Sequence, residues 1–560
     1  MMSSHRSREH RRRWIWVLLC AALALSLAPQ PAAAAPLQQN TGRVGSAPID
    51  PPPPLDVDES GRRALENFSV DTDQPSLDTG CSEGSLSINV PIGRYIALTD
   101  DQARLANVQA LIDANVVARY ATLVMPVFDI DSDSGEVDHV FVNGQQLLTR
   151  SNSFVKLTGS NDQWSVNTFE VPIELLRFPS AQGKFATGST PVTATNTIRI
   201  DIDVTNAGWC MAVDWVALQV NAIAPLVLIH GISTNQEAWT NATDTLDDQV
   251  PPAPGVTRES ARDYLARLGV PFEWEISLPA PNGNVAGNSA DVRDAVLRAA
   301  RSFGTRKIHI VAHSKGGLDS RGYLAWRYDS SQVRVLTLHT ISTPHRGSVL
   351  ANYSTFTRRH PNVVRSEDPD IQGYLRGDPF VQLSAATGGP GPRLPGLGDL
   401  TTSFVADFNR RTRGTLPRGF YSYGADADIR DAGGNPIDAG EATPFFNRAG
   451  LLKQNRGSLA YRILRDQATM RVEERRETIY TADGIPLEVD RLYILEVPSQ
   501  SPQFNDLVVT TTSSWLGFEP HVNVDGNHQN IKDGLMFRRI LDNINCAFPV
   551  GPQRAAASCT

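Results

Sequence analysis

Cysteine is scarce in this chain, with five residues in 560. Cys20 falls inside an N-terminal apolar segment, and the spacing of Cys81, Cys210, Cys546 and Cys559 fits no zinc site. An even number in an exported chain suggests two disulfides with three possible pairings. Pairing Cys81 with Cys210 and Cys546 with Cys559 keeps each bond within one expected domain. Basic charge is also short, 52 Lys and Arg against 60 Asp and Glu. Residues 1–35 carry five Arg and one Glu, so the remainder carries a net −12. Such a balance argues against a nucleic-acid partner. Long apolar runs are missing apart from residues 14–28, which follow Arg11-Arg12-Arg13 and have the length of a signal core. With small residues at 32–35 as cleavage sites, residues 1–35 read as an export signal. The mature chain is then expected outside the cell or in the periplasm, with no membrane-spanning segment.

A length of 560 residues suggests two to four domains. Residues 36–80 are rich in Pro, Gln, Ser, Asp and Gly, with Pro51 to Pro54 in a row, and read as a solvated linker. From 81 to 222 the pattern changes to short β-like runs at 85–91, 121–128, 139–142, 168–171, 196–204 and 213–220. Turns such as Asn143-Gly144 separate them, as in an all-β sandwich. Residues 103–118 add a helix or a loop. This region holds a dense acidic run containing Asp129, Asp131, Asp133 and Glu136. Carboxylates so close repel one another unless a cation or solvent screens them, and calcium suits such oxygen ligands. Gly135 comes one place too late for an EF-hand loop, and the alternative is a solvated acidic turn. The region resembles β-sandwich modules appended to extracellular bacterial proteins.

At residue 224 the pattern shifts again. Pro225-Leu226-Val227-Leu228-Ile229-His230-Gly231-Ile232 is a continuous apolar run, as expected of a parallel strand buried on both faces. Helical periodicity at 260–268, 289–303 and 318–328 then alternates with strands at 307–312 and 333–341. That alternation predicts an α/β fold with a mainly parallel central sheet over 223–560.

The chemistry centres on Ala312-His313-Ser314-Lys315-Gly316-Gly317. A strand runs into a sharp turn between small residues and a helix follows, the pattern of a nucleophile elbow with Ser at its apex. A Ser hydroxyl needs a base, an acid to orient the base, and donors for an oxyanion. Among the late histidines, His528 lies in a polar loop before the helical segment 532–544 and is preferred to His521. Asp506, downstream of a strand expected at 492–497, suits the orienting acid better than Asp399 or Asp407. The oxyanion donors are expected to be the N–H groups of Ile232 and Lys315. His230 is expected to hold the oxyanion loop by hydrogen bonds.

Residues 224–350 and 500–545 resemble the bacterial secreted lipases of the α/β-hydrolase superfamily. The motifs are Leu228-Ile229-His230-Gly231-Ile232, the elbow, Thr343-Pro344-His345-Arg346-Gly347-Ser348, Asp399-Leu400-Thr401, and Asn505-Asp506-Leu507-Val508 ahead of Asn527-His528. The resemblance implies a secreted serine hydrolase cleaving carboxylic esters, foremost acylglycerols, with lipid or another insoluble ester as its substrate and no cofactor required for the chemistry. A phospholipase or acyltransferase and a polyester depolymerase would use the same triad. A surface-binding protein with an inactive hydrolase domain is the rival of another class. Related lipases often carry an Asp two residues after the His to help bind structural calcium; here Asn530 stands there. Residues 348–398 correspond to a cap or lid, and 430–490 to an insertion.

Overall fold

The computed structural model describes residues 65–72, 84–93, 104–132, 135–161, 163–178, 193–204, 211–240, 259–359, 364–366, 395–427, 429–430, 436–438, 463–466, 469–497 and 503–550. The export segment, Asp133, His360, Cys81, Cys210 and Cys559 lie outside the described residues, as does most of the expected lid. Cys546 is disulfide-bonded. No described helix is long and apolar enough to cross a membrane.

The first half builds two antiparallel sheets. Its strands are β1 (Leu65–Asp71), β2 (Ser85–Ile92), β3 (Tyr120–Phe128), β4 (His139–Val142), β5 (Gln145–Gln146), β6 (Trp164–Pro172), β7 (Ala194–Asp201), β8 (Ala212–Val213) and β9 (Trp215–Asn221). One sheet runs β1-β9-β3-β6 with β8 against β3, and the other runs β2-β7-β4-β5. Alternation of side chains assigns the faces. Ile88, Val90 and Ile92 of β2 and Ala121, Leu123 and Met125 of β3 are buried in one cluster, whereas Ser87, Asn89 and Pro91 face solvent. Asn143 and Gly144 both adopt positive φ, the twist that a two-residue hairpin between β4 and β5 requires. Helix α1 (Arg104–Asp113) supplies the extra element expected at 103–118. One boundary moves: the expected linker contains β1, which pairs with β9 from Leu65 against Asn221 to Asp71 against Trp215. Its polar composition hid an edge strand whose register is set by its partner.

The second half is organised on a six-stranded, wholly parallel sheet ordered β11-β10-β12-β13-β15-β20. These strands are β10 (Leu226–Ile229), β11 (Phe272–Glu273), β12 (Lys307–His313), β13 (Arg334–Ile341), β15 (Gly419–Asp426) and β20 (His521–Asp525). Short β14 (Val364–Ser366) and the pair β16 (Ile429–Arg430) and β17 (Pro436–Asp438) lie apart from it. The helices are α2 (Ala261–Leu268), α3 (Val285–Ser302), α4 (Lys315–Trp326), α5 (Val349–Arg359), α6 (Pro395–Gly398), α7 (Thr402–Arg411) and α8 (Gly534–Ala547). Helix starts are capped by side chains: Ser260 Oγ accepts from Asp263 N–H, Asn284 Oδ1 from Gly287 and Asp533 Oδ1 from Met536. Both faces of the sheet are covered. Val227, Ile229, Ile308, Ile310 and Leu338 pack with Val292 and Val296 of α3. Their strand neighbours Leu226, Leu228, Val311 and Ile341 pack with Leu265 of α2 and Phe537 and Ile540 of α8. The second cluster continues into the antiparallel half, and Asn221 Nδ2 donates to the carbonyl of Val550 at 2.8 Å.

Candidate active site

Every site residue leaves the parallel sheet at the carboxyl end of a strand, where open parallel sheets place their ligands. Ser314 ends β12 and begins α4 with φ 54° and ψ −131°. A residue with a Cβ rarely adopts that region, so surrounding contacts must hold it there. The Ser314 N–H donates to the carbonyl of Ile341 at 2.8 Å. Space is the second constraint. A Cβ on Gly316 would lie 2.3 Å from the carbonyl oxygen of His230, and one on Gly231 would lie 2.8 Å from Ser314 Cβ. The small residues around the Ser therefore let strands β10 and β12 and helix α4 meet.

Ser314, His528 and Asp506 form a hydrogen-bonded chain. His528 Nε2 is 2.9 Å from Ser314 Oγ, and His528 Nδ1 is 2.8 Å from Asp506 Oδ2. The other Asp506 oxygen accepts the N–H groups of Val508 at 2.9 Å and Val509 at 2.6 Å. These three hydrogen bonds engage both oxygens of the carboxyl group and fix its orientation. Paired so, the imidazole carries its proton on Nδ1 and offers Nε2 as acceptor to the Ser hydroxyl. The His528 N–H also donates to the Asp506 carbonyl at 3.0 Å, which locks the two loops together. All three side chains are buried.

Ile232 and Lys315 sit beside this chain. A Cβ on Gly231 would crowd Ser314, so the Gly231–Ile232 peptide lies next to Ser314. Lys315 is the first residue of α4, and its N–H has no carbonyl partner within the helix. Its side chain turns away into the core, where Nζ lies 2.7 and 2.9 Å from the two carboxylate oxygens of Asp319. Burial pushes the Asp319 carboxyl up to about 6, against the pull of Lys315. His230 joins its Nδ1 to the Gly231 carbonyl at 2.9 Å, and its Nε2 accepts the Leu278 N–H at 2.9 Å. Burial lowers it to about 4, so it is neutral and acts as a brace for the loop.

The competing residues are engaged elsewhere. His521 lies 2.8 Å from Asn523 Oδ1 and stacks on Trp515. Asp399 accepts the N–H of Val285, and Asp407 pairs with Arg410 and Arg411. His345 is held between Arg321 and Thr340. The strand expected ahead of Asp506 differs from expectation. Residues 492–497 belong to a separate three-stranded sheet, and the parallel strand that presents Asp506 is β15, whose following residue Ala427 donates to the Asn505 carbonyl. A long excursion between Asp426 and Asn505 separates strand from acid, so proximity in sequence pointed to the wrong strand.

Sequence reasoning assigned no role to two basic residues beneath the site. His313 Nε2 lies 2.8 Å from the His528 carbonyl oxygen. Lys532 is wholly buried and donates to Gln529 Oε1 at 2.6 Å, and burial lowers its ammonium to about 7. A His closing a strand buried on both faces is a legible hint for the first, whereas Lys532 reads as an ordinary residue near a helix start.

The acidic run lies in the antiparallel half. Glu136 Oε2 accepts the Asp131 N–H at 2.5 Å and Asp138 Oδ1 accepts the Asp203 N–H at 2.9 Å. Burial pushes Glu136 up to about 7, and the neighbouring Asp138 adds to the rise. Among the described residues no group of three or more His, Cys, Asp or Glu side chains is arranged to hold a metal ion, Asp129, Asp131 and Glu136 included.

No family model matches the chain. Over 117 residues, 21% of its length, it is 43% identical to triacylglycerol lipase 2 of Saccharomyces cerevisiae. That stretch spans 29% of the length of the yeast relative. Among solved structures it is similar to the mature lipase BlEst2 of Bacillus licheniformis, at 17% identity and a TM-score of 0.31, covering 57% of this chain and 91% of that one. It is also similar to the lipase of Staphylococcus hyicus, at 14% identity and a TM-score of 0.28, covering 55% and 88%.

Proposed function

We propose that this chain is a secreted serine hydrolase of carboxylic esters with an α/β-hydrolase catalytic region, acting foremost on acylglycerols. The carrying observation is the continuous hydrogen-bonded chain from Asp506 through His528 to Ser314. In this reading Ser314 Oγ attacks the ester carbonyl as His528 Nε2 takes its proton. Negative charge develops on the carbonyl oxygen, and the N–H groups of Ile232 and Lys315 receive it. His528 then protonates the leaving alcohol. Water, activated by the same His, releases the acid from Ser314. Asp506 keeps the imidazole in the required tautomer and stabilises its charged form.

The substrate class draws support from the local likeness to the yeast triacylglycerol lipase. The antiparallel half is read as an accessory β-sandwich, and residues 348–398 as a cap over the site. A series of triacylglycerols and p-nitrophenyl esters of increasing chain length, run beside phospholipid and a polyester film, tests the substrate class. Acylglycerols should be turned over fastest. Preference for phospholipid or polyester would move the reading to another ester on the same triad.

A further inference from the structure

Strands β18 (Thr469–Tyr480) and β19 (Pro486–Val497) form an antiparallel ribbon of twelve rungs, from Thr469 against Val497 to Tyr480 against Pro486. Among the described residues the ribbon meets no further strand beyond β18, and β14 supports β19 only at Leu492, Tyr493 and Ile494. No side chain from 471 to 493 is buried. A two-stranded ribbon without a second layer is marginal in water, so what its surface carries matters. Along the stem, charges answer one another: Arg476 lies 2.9 Å from Asp490, Arg475 3.2 Å from Glu473 and Arg491 3.3 Å from Glu477. At the far end the character changes. Tyr480, Ile485 and Leu487 are 71%, 61% and 50% exposed and surround a well-formed turn. In that turn the Thr481 N–H donates to the Ile485 carbonyl and Gly484 to that of Thr481.

We propose that this apolar tip docks the protein onto an uncharged lipid surface, which would hold the Ser314 site against insoluble ester. Two observations choose that occupant. The first is area: a stable protein partner needs roughly 1,000 Å² or more of buried surface over both sides, about 500 Å² from each, and three side chains of at most about 250 Å² each, exposed by 71%, 61% and 50%, offer less than that. A lipid surface demands no matching shape and accepts a few aliphatic side chains with a Tyr at the headgroup level. The second is charge. The ribbon from 469 to 497 holds four basic and seven acidic residues, and Asp483 stands in the turn itself. Those charges oppose an anionic membrane and a second copy alike.

The link to turnover rests on the esterase reading above, but docking can be measured without it. Co-sedimentation of the full-length protein with phosphatidylcholine vesicles carrying triolein would be compared with the same vesicles enriched in phosphatidylglycerol. The double variant Ile485→Asp/Leu487→Asp, and separately Tyr480→Ser, would be run beside wild type, with far-UV circular dichroism and turnover of soluble p-nitrophenyl butyrate as checks. Docking predicts at least tenfold weaker binding to neutral vesicles for the double variant and a matching loss on emulsified triolein. Soluble-ester turnover should stay within twofold, and phosphatidylglycerol should give no gain in binding. Unchanged vesicle binding in both variants overturns the proposal. So does binding that rises with phosphatidylglycerol, or a wild-type dimer in sedimentation that the variants dissolve. A wild type that docks through the tip yet hydrolyses no soluble ester would leave docking standing and sink the esterase reading.

Discussion

His313 reaches from beneath Ser314 to the backbone of His528, with its Nε2 2.8 Å from the carbonyl oxygen. The carbonyl can only accept, so His313 carries its proton on Nε2. Burial, with the charge of Lys532 adding to it, lowers this His well below its ordinary range, so it stays neutral. The residue before Ser314 thereby anchors the loop that carries His528. His313→Phe should lower kcat by about ten- to a hundredfold through misplacement of the base, with KM little changed. Steady-state kinetics on a soluble ester checks this split.

Lys532 makes stability depend on pH. Its folded value of about 7 lies below the ordinary 10.5 because burial disfavours the ammonium. A depressed group adds stability that is present above the unfolded value and is lost as pH falls through the folded one. Unfolding free energy should therefore rise from pH 7 towards 10 by at most about 1.4 kcal/mol per pH unit from this residue. Urea melts of wild type and Lys532→Met across that range should differ in slope, with the variant flatter and the more stable at pH 7. Parallel slopes would remove Lys532 as the cause.

The Lys315–Asp319 pair is buried on both sides. Removing one partner leaves the other charge uncompensated, at a cost of about 3–5 kcal/mol. Lys315→Met alone should lower stability by that order, while Lys315→Met/Asp319→Leu should recover most of it. Chemical denaturation of the two variants measures the difference.

Glu136 works in the opposite sense to Lys532. Its folded value of about 7 lies above the ordinary 4.5, so its contribution is full below the unfolded value and lost as pH rises through 7. Glu136→Gln should stabilise the chain at pH 8 and have little effect at pH 4.5, as read by thermal melts. If calcium screens these carboxylates, added calcium should raise the melting temperature of wild type more than that of the variant.

Much of the site was legible because its chemistry is local. The elbow of Ser314 needs a strand, a small-residue turn and a helix in unbroken order, and the apolar runs of β10 and β12 have no other home than a sheet covered on both faces. A base belongs in a polar loop, which favours His528 over His521 as the candidate, and His521 begins a strand. What was illegible depends on long-range pairing. Leu65–Asp71 becomes a strand only because β9 is there to receive it. Asp506 belongs to β15 across an excursion of more than seventy residues, which no periodicity reveals. Gly317 is a milder case: its need is set by Thr343, whose Oγ1 would lie 2.1 Å from an added Cβ.

The central claim is that His528, oriented by Asp506, activates Ser314. A fluorophosphonate probe, read by intact mass and peptide mapping, tests it most directly. Wild type and His521→Ala should be labelled on Ser314, Ser314→Ala should take no label, and His528→Ala should react slower by several decades. Absence of labelling in wild type, or loss of labelling in His521→Ala with His528→Ala unaffected, would contradict the account.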